Sequence, residues 1–261
     1  MKRSTSRILT THTGSLPRSP VLQELLRQRE ERHPLNQTAF AEGVRTAVVD
    51  VIQQQIAIGL DVINDGEQER SQYATYVKER LTGFAGERVI RARPRLGDTD
   101  FPDFVATSQS STSLPQPSCT GPITWKDKDA VQRDIATLKA AIGTHQVEEV
   151  FMTAASPGVI ANFLPNEYYP TEEAYLYALA EAMKHEYEAI VQAGFLLQID
   201  CPDLARHASP SLPTCQWMDS KMLWLNTSMC STRRWQACRQ SVCGCTCAGA
   251  TTKDRIITTC H

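Results

Sequence analysis

Two carboxylates stand where short apolar segments of the sequence end. Glu67 follows the segment Gly59 to Asn64, and Asp200 closes the segment Gly194 to Ile199. Each segment comes after a helical run and a glycine, the order of elements typical of a parallel α/β protein, whose functional groups lie at the carboxyl ends of the strands. A run of charges usually forms a solvated face, but this position predicts a functional role for Glu67. Arg70 is as readily an ion-pair partner that fixes the loop.

A polar turn near the N-terminus offers a second set of groups. Residues 7–17 have the sequence RILTTHTGSLP, which predicts a short strand running into a tight turn. Gly14 permits a backbone conformation that other residues disfavour, and Ser15 places a hydroxyl and an N–H beside it. His12 could act as a ligand or a base, although a single histidine is more often a hydrogen-bonded structural residue.

The elements that must position these groups follow from periodicity. Apolar residues at helical spacing and apolar runs predict helices over 38–58, 73–84, 127–142 and 172–192, and strands over 60–64, 118–125 and 194–200 and from residue 149 onward. Residues 91–117, rich in Pro, Ser, Thr and Asp, are predicted to form an extended insertion or rim loop. About five strand–loop–helix units are recognisable, and an eight-stranded α/β barrel would need roughly three more.

Composition limits the classes of partner. The chain of 261 residues has 27 basic and 29 acidic residues and a formal net charge of −2, which gives no reason to expect nucleic acid or an anionic membrane as a partner. No apolar run approaches the roughly 18 residues of a membrane span, and the basic N-terminus lacks a signal-peptide core. A soluble, cytoplasmic protein is expected.

Five segments, in this order, resemble the catalytic domain of cobalamin-independent methionine synthase and its single-domain relatives, which include epoxyalkane:coenzyme M transferases. They are residues 11–17 (THTGSLP), 59–70 (GLDVINDGEQER), 76–84 (YVKERLTGF), 119–124 (CTGPIT) and 197–200 (LQID). The resemblance implies a (β/α)₈ barrel, of which residues 1–205 would form about the first five units.

The resemblance also implies a reaction. In that family a methyl group moves from 5-methyltetrahydrofolate to a thiol, usually that of homocysteine, and coenzyme M is the alternative acceptor. Thr13, Gly14 and Ser15 match the loop that holds the substrate's carboxylate, and Glu67 and Asp200 match the acids that hold its ammonium group. The chemistry is consistent, because N–H groups at a glycine turn suit a carboxylate and strand-end carboxylates suit an ammonium ion.

Zinc is the cofactor that the resemblance implies, because coordination converts a protonated thiol into a bound thiolate. Its ligands in the family are a His-x-Cys pair and a further Cys on later strands. Residues 1–205 contain no His-x-Cys, and His207 is followed by Ala208 and Ser209. The sequence as written therefore lacks the family's metal site.

The tail has a different composition from the rest of the chain. Seven of the 9 cysteines follow Arg206, and residues 208–261 show no helical or strand period, so residues 206–261 are expected to be an aberrant, unstructured tail. A cysteine-rich metal module built on Cys238, Cys243, Cys245 and Cys247 is one interpretation, but their spacing lacks the paired C-x₂-C of zinc sites.

A displaced reading frame is the other interpretation of the tail. Shifted by two bases, with permitted synonymous codons, residues 225–260 can be retranslated into an amphipathic helix and a strand, RVRMHVCWG, that carries the missing His-x-Cys pair. This text also matches the continuation of the relatives. We therefore hypothesise an insertion or deletion of one base near codons 205–209, in the gene or in its sequencing.

Three functions remain open on the sequence alone. The first is a zinc methyltransferase whose present form is inactive and, with unpaired strand edges, unstable. The second is a non-catalytic protein that keeps the substrate pocket and binds an amino acid or a folate. The third is a pseudogene product without function.

Overall fold

The structure, a computed structural model, describes residue 2 and residues 4–88, 116–202 and 256–259. Its helices are α1 (Pro20–Glu30), α2 (Gln37–Ala57), α3 (Val77–Arg80), α4 (Ala130–Ile142), α5 (Pro157–Phe163) and α6 (Glu172–Gln192). Its strands are β1 (Val62–Ile63), β2 (Phe84–Arg88), β3 (Gln116–Cys119), β4 (Glu149–Ala155), β5 (Leu196–Asp200) and β6 (Ile256–Thr259). Of the predicted insertion at 91–117, residues 91–115 lie outside the described residues, whereas Gln116 and Pro117 belong to β3.

The helices begin where the sequence supplies a side-chain cap. Ser19 Oγ accepts a hydrogen bond from Leu22 N at 3.2 Å, and Thr171 Oγ1 accepts one from Ala174 N at 3.1 Å. Each cap satisfies a backbone donor that the helix itself cannot, which stabilises a helix by about 1 kcal/mol. The helices predicted over 38–58, 127–142 and 172–192 are confirmed within a few residues.

One parallel sheet carries the fold. Its strand order is β1-β4-β5-β6, with Ile63 opposite Val150 and Ala155 opposite Asp200. The last five residues of β4 and all of β5 are buried, as expected for strands of a parallel sheet that is covered on both faces. The described residues therefore form a mixed α/β structure of the kind predicted, part of a (β/α)₈ barrel.

The core lies between this sheet and helices α2, α4 and α6. Ile52 of α2, Leu138 of α4, Leu179 and Met183 of α6, and Met152 of β4 are fully buried in one hydrophobic cluster. Burial of each such side chain contributes about 1.5–3 kcal/mol, so these contacts hold the loops at the strand ends in place.

Three predicted elements differ from the structure. Residues 7–17 form no strand, although Thr10 O accepts hydrogen bonds from Asp61 N and Val62 N, each at 3.1 Å. The predicted helix over 73–84 is reduced to the four residues of α3. The segment predicted as a strand at 118–125 contributes only its first two residues to β3, which pairs antiparallel with β2 in a separate two-stranded sheet.

Gly83 explains why the helix does not continue to residue 84. Its φ is +89°, and a Cβ there would lie 2.7 Å from Gly121 O and 2.8 Å from Pro122 O. Only glycine allows this close approach, so the chain leaves the helix before it and Phe84 starts β2.

Four residues of the tail also differ from the prediction of an unstructured segment 206–261. Ile256 to Thr259 form β6, parallel to β5, with Asp200 opposite Thr259. All four are β-branched, which favours a strand, and the edge of β5 offers unpaired backbone groups to such a strand. The other tail residues, 206–255 and 260–261, lie outside the described residues.

Within the described part of the chain, no helix combines the length and the apolarity that crossing a bilayer requires.

Candidate functional site

The loop from Asn64 to Arg70 leaves β1 and is folded by its own side chains. Asn64 Oδ1 accepts a hydrogen bond from Gly66 N at 2.6 Å, and Asp65 Oδ1 accepts one from Glu67 N at 3.0 Å. Gly66 and Glu67 both have positive φ angles, +61° and +55°. For a residue with a side chain this conformation costs of order 1–3 kcal/mol, so the surroundings must hold Glu67 in it.

Arg18 stabilises this loop conformation by hydrogen bonds. Its Nη2 donates to Glu67 O at 2.7 Å and to Arg70 O at 2.6 Å, and its Nε donates to Gln68 O at 3.3 Å. Leu16 N donates to Gly66 O at 3.0 Å, so the N-terminal turn and the loop after β1 are joined through their backbones. One guanidinium thus fixes three carbonyls of the loop that carries Glu67.

The Glu67 carboxylate is buried, with 2% of the residue exposed. Ser15 Oγ donates to its Oε2 at 2.7 Å, and Thr153 Oγ1 donates to its Oε1 at 3.0 Å. Both side-chain partners among the described residues are hydroxyls, so no cation neutralises the carboxylate by a direct hydrogen bond there. A carboxylate can accept about four hydrogen bonds, which leaves room for a further donor.

Asp200 ends β5 at the same edge of the sheet. It is buried, and Gln198 Nε2 donates to its Oδ1 at 3.0 Å. Because β1, β4 and β5 are parallel, Asp200 and the Glu67 loop both follow carboxyl ends of strands, with β4 between them.

The remaining predicted site residues lie in the N-terminal turn. Gly14 has φ of +79° and Thr13 is exposed, while Ser15 makes the bond to Glu67. His12 is different, because both of its ring nitrogens are buried and neither has a hydrogen-bond partner within residues 4–88 and 116–202. The structure therefore joins Ser15 directly to Glu67.

A buried polar cluster beside the site was not predicted. Glu186 of α6, with no exposed surface, accepts hydrogen bonds from Tyr76 Oη and, at 3.0 Å, from Arg80 Nη1. The Tyr76 ring lies between two guanidinium groups, 4.2 Å from Arg70 Cζ and 4.8 Å from Arg80 Cζ. Arg70 Nη2 is also 3.9 Å from Glu186, so its expected role as an ion-pair partner that fixes the loop agrees with the structure.

Two acids share a proton at the other end of this cluster. Burial, and then the neighbouring Asp134 carboxylate, raise the pKa of Glu69 to about 9. Burial opposes ionisation of Asp134 as well, but Arg80 and the hydrogen bond from Glu69 outweigh it and lower the pKa of Asp134. Asp134 Oδ1 is buried without a hydrogen-bond partner in the described structure, and the proton that Glu69 retains is donated to the Asp134 carboxylate.

This proton makes stability depend on pH. The pKa of Glu69 is raised from its ordinary 4.5 to about 9, so the folded chain keeps a proton that the unfolded chain releases in this window. Its contribution is complete below pH 4.5 and is lost as the pH rises toward 9. We expect the free energy of unfolding to fall less steeply with rising pH in Glu69→Gln than in the parent. Denaturant unfolding of the full-length chain at several pH values across the window measures this. Identical slopes in the parent and the variant would contradict the shared proton.

The described residues do not fit the zinc ion that the family resemblance implies. Within residues 4–88 and 116–202, no three His, Cys, Asp or Glu side chains come together as a metal site. Cys119 is buried, and burial raises the pKa of its thiol to about 11, which disfavours the thiolate that a metal requires. No reaction step is therefore assigned to zinc in this part of the chain.

Comparison with known proteins gives consistent matches. The family described as "Cobalamin-independent synthase, Catalytic domain" matches residues 8–92. The chain is 27% identical over 194 residues to methionine synthase of Sulfolobus acidocaldarius, covering 74% of this chain and 51% of that protein. It is 30% identical over 141 residues to the 5-methyltetrahydropteroyltriglutamate–homocysteine methyltransferase of Ralstonia pickettii, covering 48% of this chain and 18% of that one.

Solved structures agree on the fold. A B12-independent methionine synthase from Shewanella sp. W3-18-1, in complex with selenomethionine, superposes with a TM-score of 0.63 at 20% identity over 84% of this chain and 57% of that one. The chain thus spans about half the length of several methionine synthases that it matches. The predicted resemblance to cobalamin-independent methionine synthases is thus confirmed as a similarity, and residues 8–92 match the family's catalytic domain.

Proposed function

We propose that this chain provides the amino-acid-binding part of a cytoplasmic methyltransferase that moves the methyl group of 5-methyltetrahydrofolate to the thiol of homocysteine. The observation that carries the proposal is the buried Glu67 carboxylate, whose side-chain partners in the described structure are two hydroxyls. A buried charge is costly without a counter-ion, and an ammonium group of the substrate would supply one.

The neighbouring turn suits the other charge of an amino acid. The α-ammonium and α-carboxylate of an amino acid are attached to one carbon, so the groups that bind them must be adjacent. Ser15 and Glu67 meet this condition, since their side chains are hydrogen-bonded at 2.7 Å. N–H groups at the Thr13–Gly14–Ser15 turn would bind the carboxylate, and Asp200 would join Glu67 around the ammonium.

The chemistry then needs a reactive sulfur beside this site. In the net reaction a carbon–sulfur bond forms, the bond between the methyl carbon and the folate nitrogen breaks, and the thiol proton passes to the folate. In the family zinc activates the thiol. We propose that the code for its His-x-Cys pair survives in the displaced frame of the tail, downstream of codons 205–209. The substrate-binding groups described above lie upstream of that point.

Coenzyme M is the alternative acceptor, and the site argues against it. Coenzyme M has a sulfonate but no ammonium group, so the buried Glu67 would gain no cation from the substrate and would keep only its hydrogen bonds from two hydroxyls. Homocysteine has a carboxylate for the turn and an ammonium group for the acids.

A methyl-transfer assay tests the proposal. The protein, with its reading frame restored, is incubated with homocysteine and 5-methyltetrahydrofolate, and methionine is measured by mass spectrometry with and without a metal chelator. We expect methionine to accumulate and the chelator to stop its formation. A folded, frame-restored protein that forms no methionine would refute the proposal.

A further inference from the structure

Thr153 is a polar residue in the middle of a buried strand. It lies in β4 with 2% of its surface exposed, between Met152 and Ala154, which are both fully buried. Its hydroxyl group takes part in two hydrogen bonds. Arg70 Nη1 donates to Thr153 Oγ1 at 2.8 Å, and Thr153 Oγ1 lies 3.0 Å from Glu67 Oε1.

The direction of these hydrogen bonds is fixed by chemistry. A guanidinium has only donors, so the bond from Arg70 must be accepted by the threonine oxygen. The single hydroxyl hydrogen of Thr153 is then free to point at Glu67, which as a carboxylate can only accept. Arg70 therefore sets the orientation of the hydroxyl, and the hydroxyl holds one oxygen of Glu67.

Arg70 is itself held firmly. Its Nη2 donates to the backbone oxygen of Thr153 at 2.7 Å, and its guanidinium lies 4.2 Å from the centre of the Tyr76 ring and 3.9 Å from Glu186. Two hydrogen bonds thus connect the fixed cation Arg70, through the neutral hydroxyl of Thr153, to the acid Glu67. The hydroxyl keeps the cation from forming a direct hydrogen bond with Glu67 and neutralising it.

We propose that Thr153, oriented by Arg70, is a positioning residue that aims the Glu67 carboxylate at the ammonium group of the bound amino acid. This inference rests on the proposed function. Ser15 holds the other oxygen of Glu67, so the two hydroxyls fix the plane of the carboxylate and leave acceptor capacity for the ligand. An acid held in this way binds an ammonium without first reorganising.

A matched pair of variants isolates the hydroxyl. Thr153→Val keeps the shape of the side chain and removes the hydroxyl, while Thr153→Ser keeps the hydroxyl and removes a methyl group. The probes are methionine and desamino-methionine, which lacks the ammonium group. Their dissociation constants are measured by calorimetry on the full-length protein, with the tail as written and with the reading frame restored.

We expect Thr153→Val to weaken methionine binding by about tenfold or more, as for loss of a hydrogen bond to a charged group, and to change desamino-methionine binding by less than about twofold. Thr153→Ser should restore most of the preference for methionine. The ratio of the two dissociation constants is decisive, because both ligands report on the same folded fraction, even if Thr153→Val lowers stability.

The outcomes separate this inference from the function on which it rests. If the parent prefers methionine and Thr153→Val has the same preference, Thr153 has no positioning role, while the proposed function stands. If Thr153→Ser and Thr153→Val lose the preference equally, the effect is due to packing and the role of the hydroxyl is refuted. A parent that binds the two probes equally refutes both the role and the amino-acid substrate.

Discussion

Glu67→Gln is expected to weaken methionine binding by about a hundredfold or more. The substitution removes the charge of a buried carboxylate and keeps its size, so a bound ammonium loses its counter-ion. Loss of one partner of a buried charge pair costs about 3–5 kcal/mol, which corresponds to roughly a hundred- to several-thousandfold in affinity. The affinity of Glu67→Gln for desamino-methionine should equal or exceed that of the parent, because this ligand has no ammonium group to pair with the Glu67 charge.

Calorimetry of the full-length protein with both ligands measures this effect. Glu42→Gln is the matched control, since it removes the same charge from an exposed position on α2. It should leave both affinities unchanged. An equal loss for the two ligands would show that Glu67 supports the fold of the loop rather than an ammonium site.

Restoration of the reading frame is expected to change the protein from one without zinc to one with about one zinc ion per chain. The described residues offer no metal site, whereas the displaced frame, under the hypothesis of a lost or gained base, can encode a His-x-Cys pair on a predicted strand. The restored segment would also supply further strands and helices for the barrel, in place of the short β6 that now pairs with β5. Because metal binds the folded state, unfolding should become more cooperative and shift to higher temperature.

Zinc content by mass spectrometry and thermal unfolding by circular dichroism check this expectation. The control is the frame-restored protein with the histidine of the recovered pair replaced by alanine, which should lose the zinc. Resequencing of the gene near codons 205–209 is an independent check. An unbroken frame that encodes the tail as written would refute the displacement.

Elements with strong periodicity were predictable from the sequence. Helices α2 and α6 bury long apolar stripes, and β4 and β5 are short, mostly apolar runs, β5 ending at Asp200 and β4 being followed by Ser156, so burial alone favours both kinds of element. Glu67 was predictable as a site candidate because it follows one of the apolar runs predicted to be strands. The helix expected over 73–84 failed at Gly83, where contact with a distant segment decides the conformation.

The polar contacts around Glu67 could not be predicted. Thr153 and Glu67 are far apart in sequence, and their hydrogen bond depends on the parallel pairing of β1 with β4. A polar residue within the apolar run of β4 was the available signal. Periodicity cannot show which distant side chain such a residue will meet, so Arg18, Thr153 and Glu186 were missed as parts of the site.

Competition between acceptors tests most directly whether this site binds an amino-acid thiol. The frame-restored protein is given 5-methyltetrahydrofolate with equal concentrations of homocysteine and coenzyme M, and both methylated products are measured in the same reaction. We expect methionine to be the main product, with the preference lost in Glu67→Gln. Methylation of coenzyme M in preference to homocysteine, or of neither thiol by a folded protein, would contradict an ammonium site at Glu67 and Asp200.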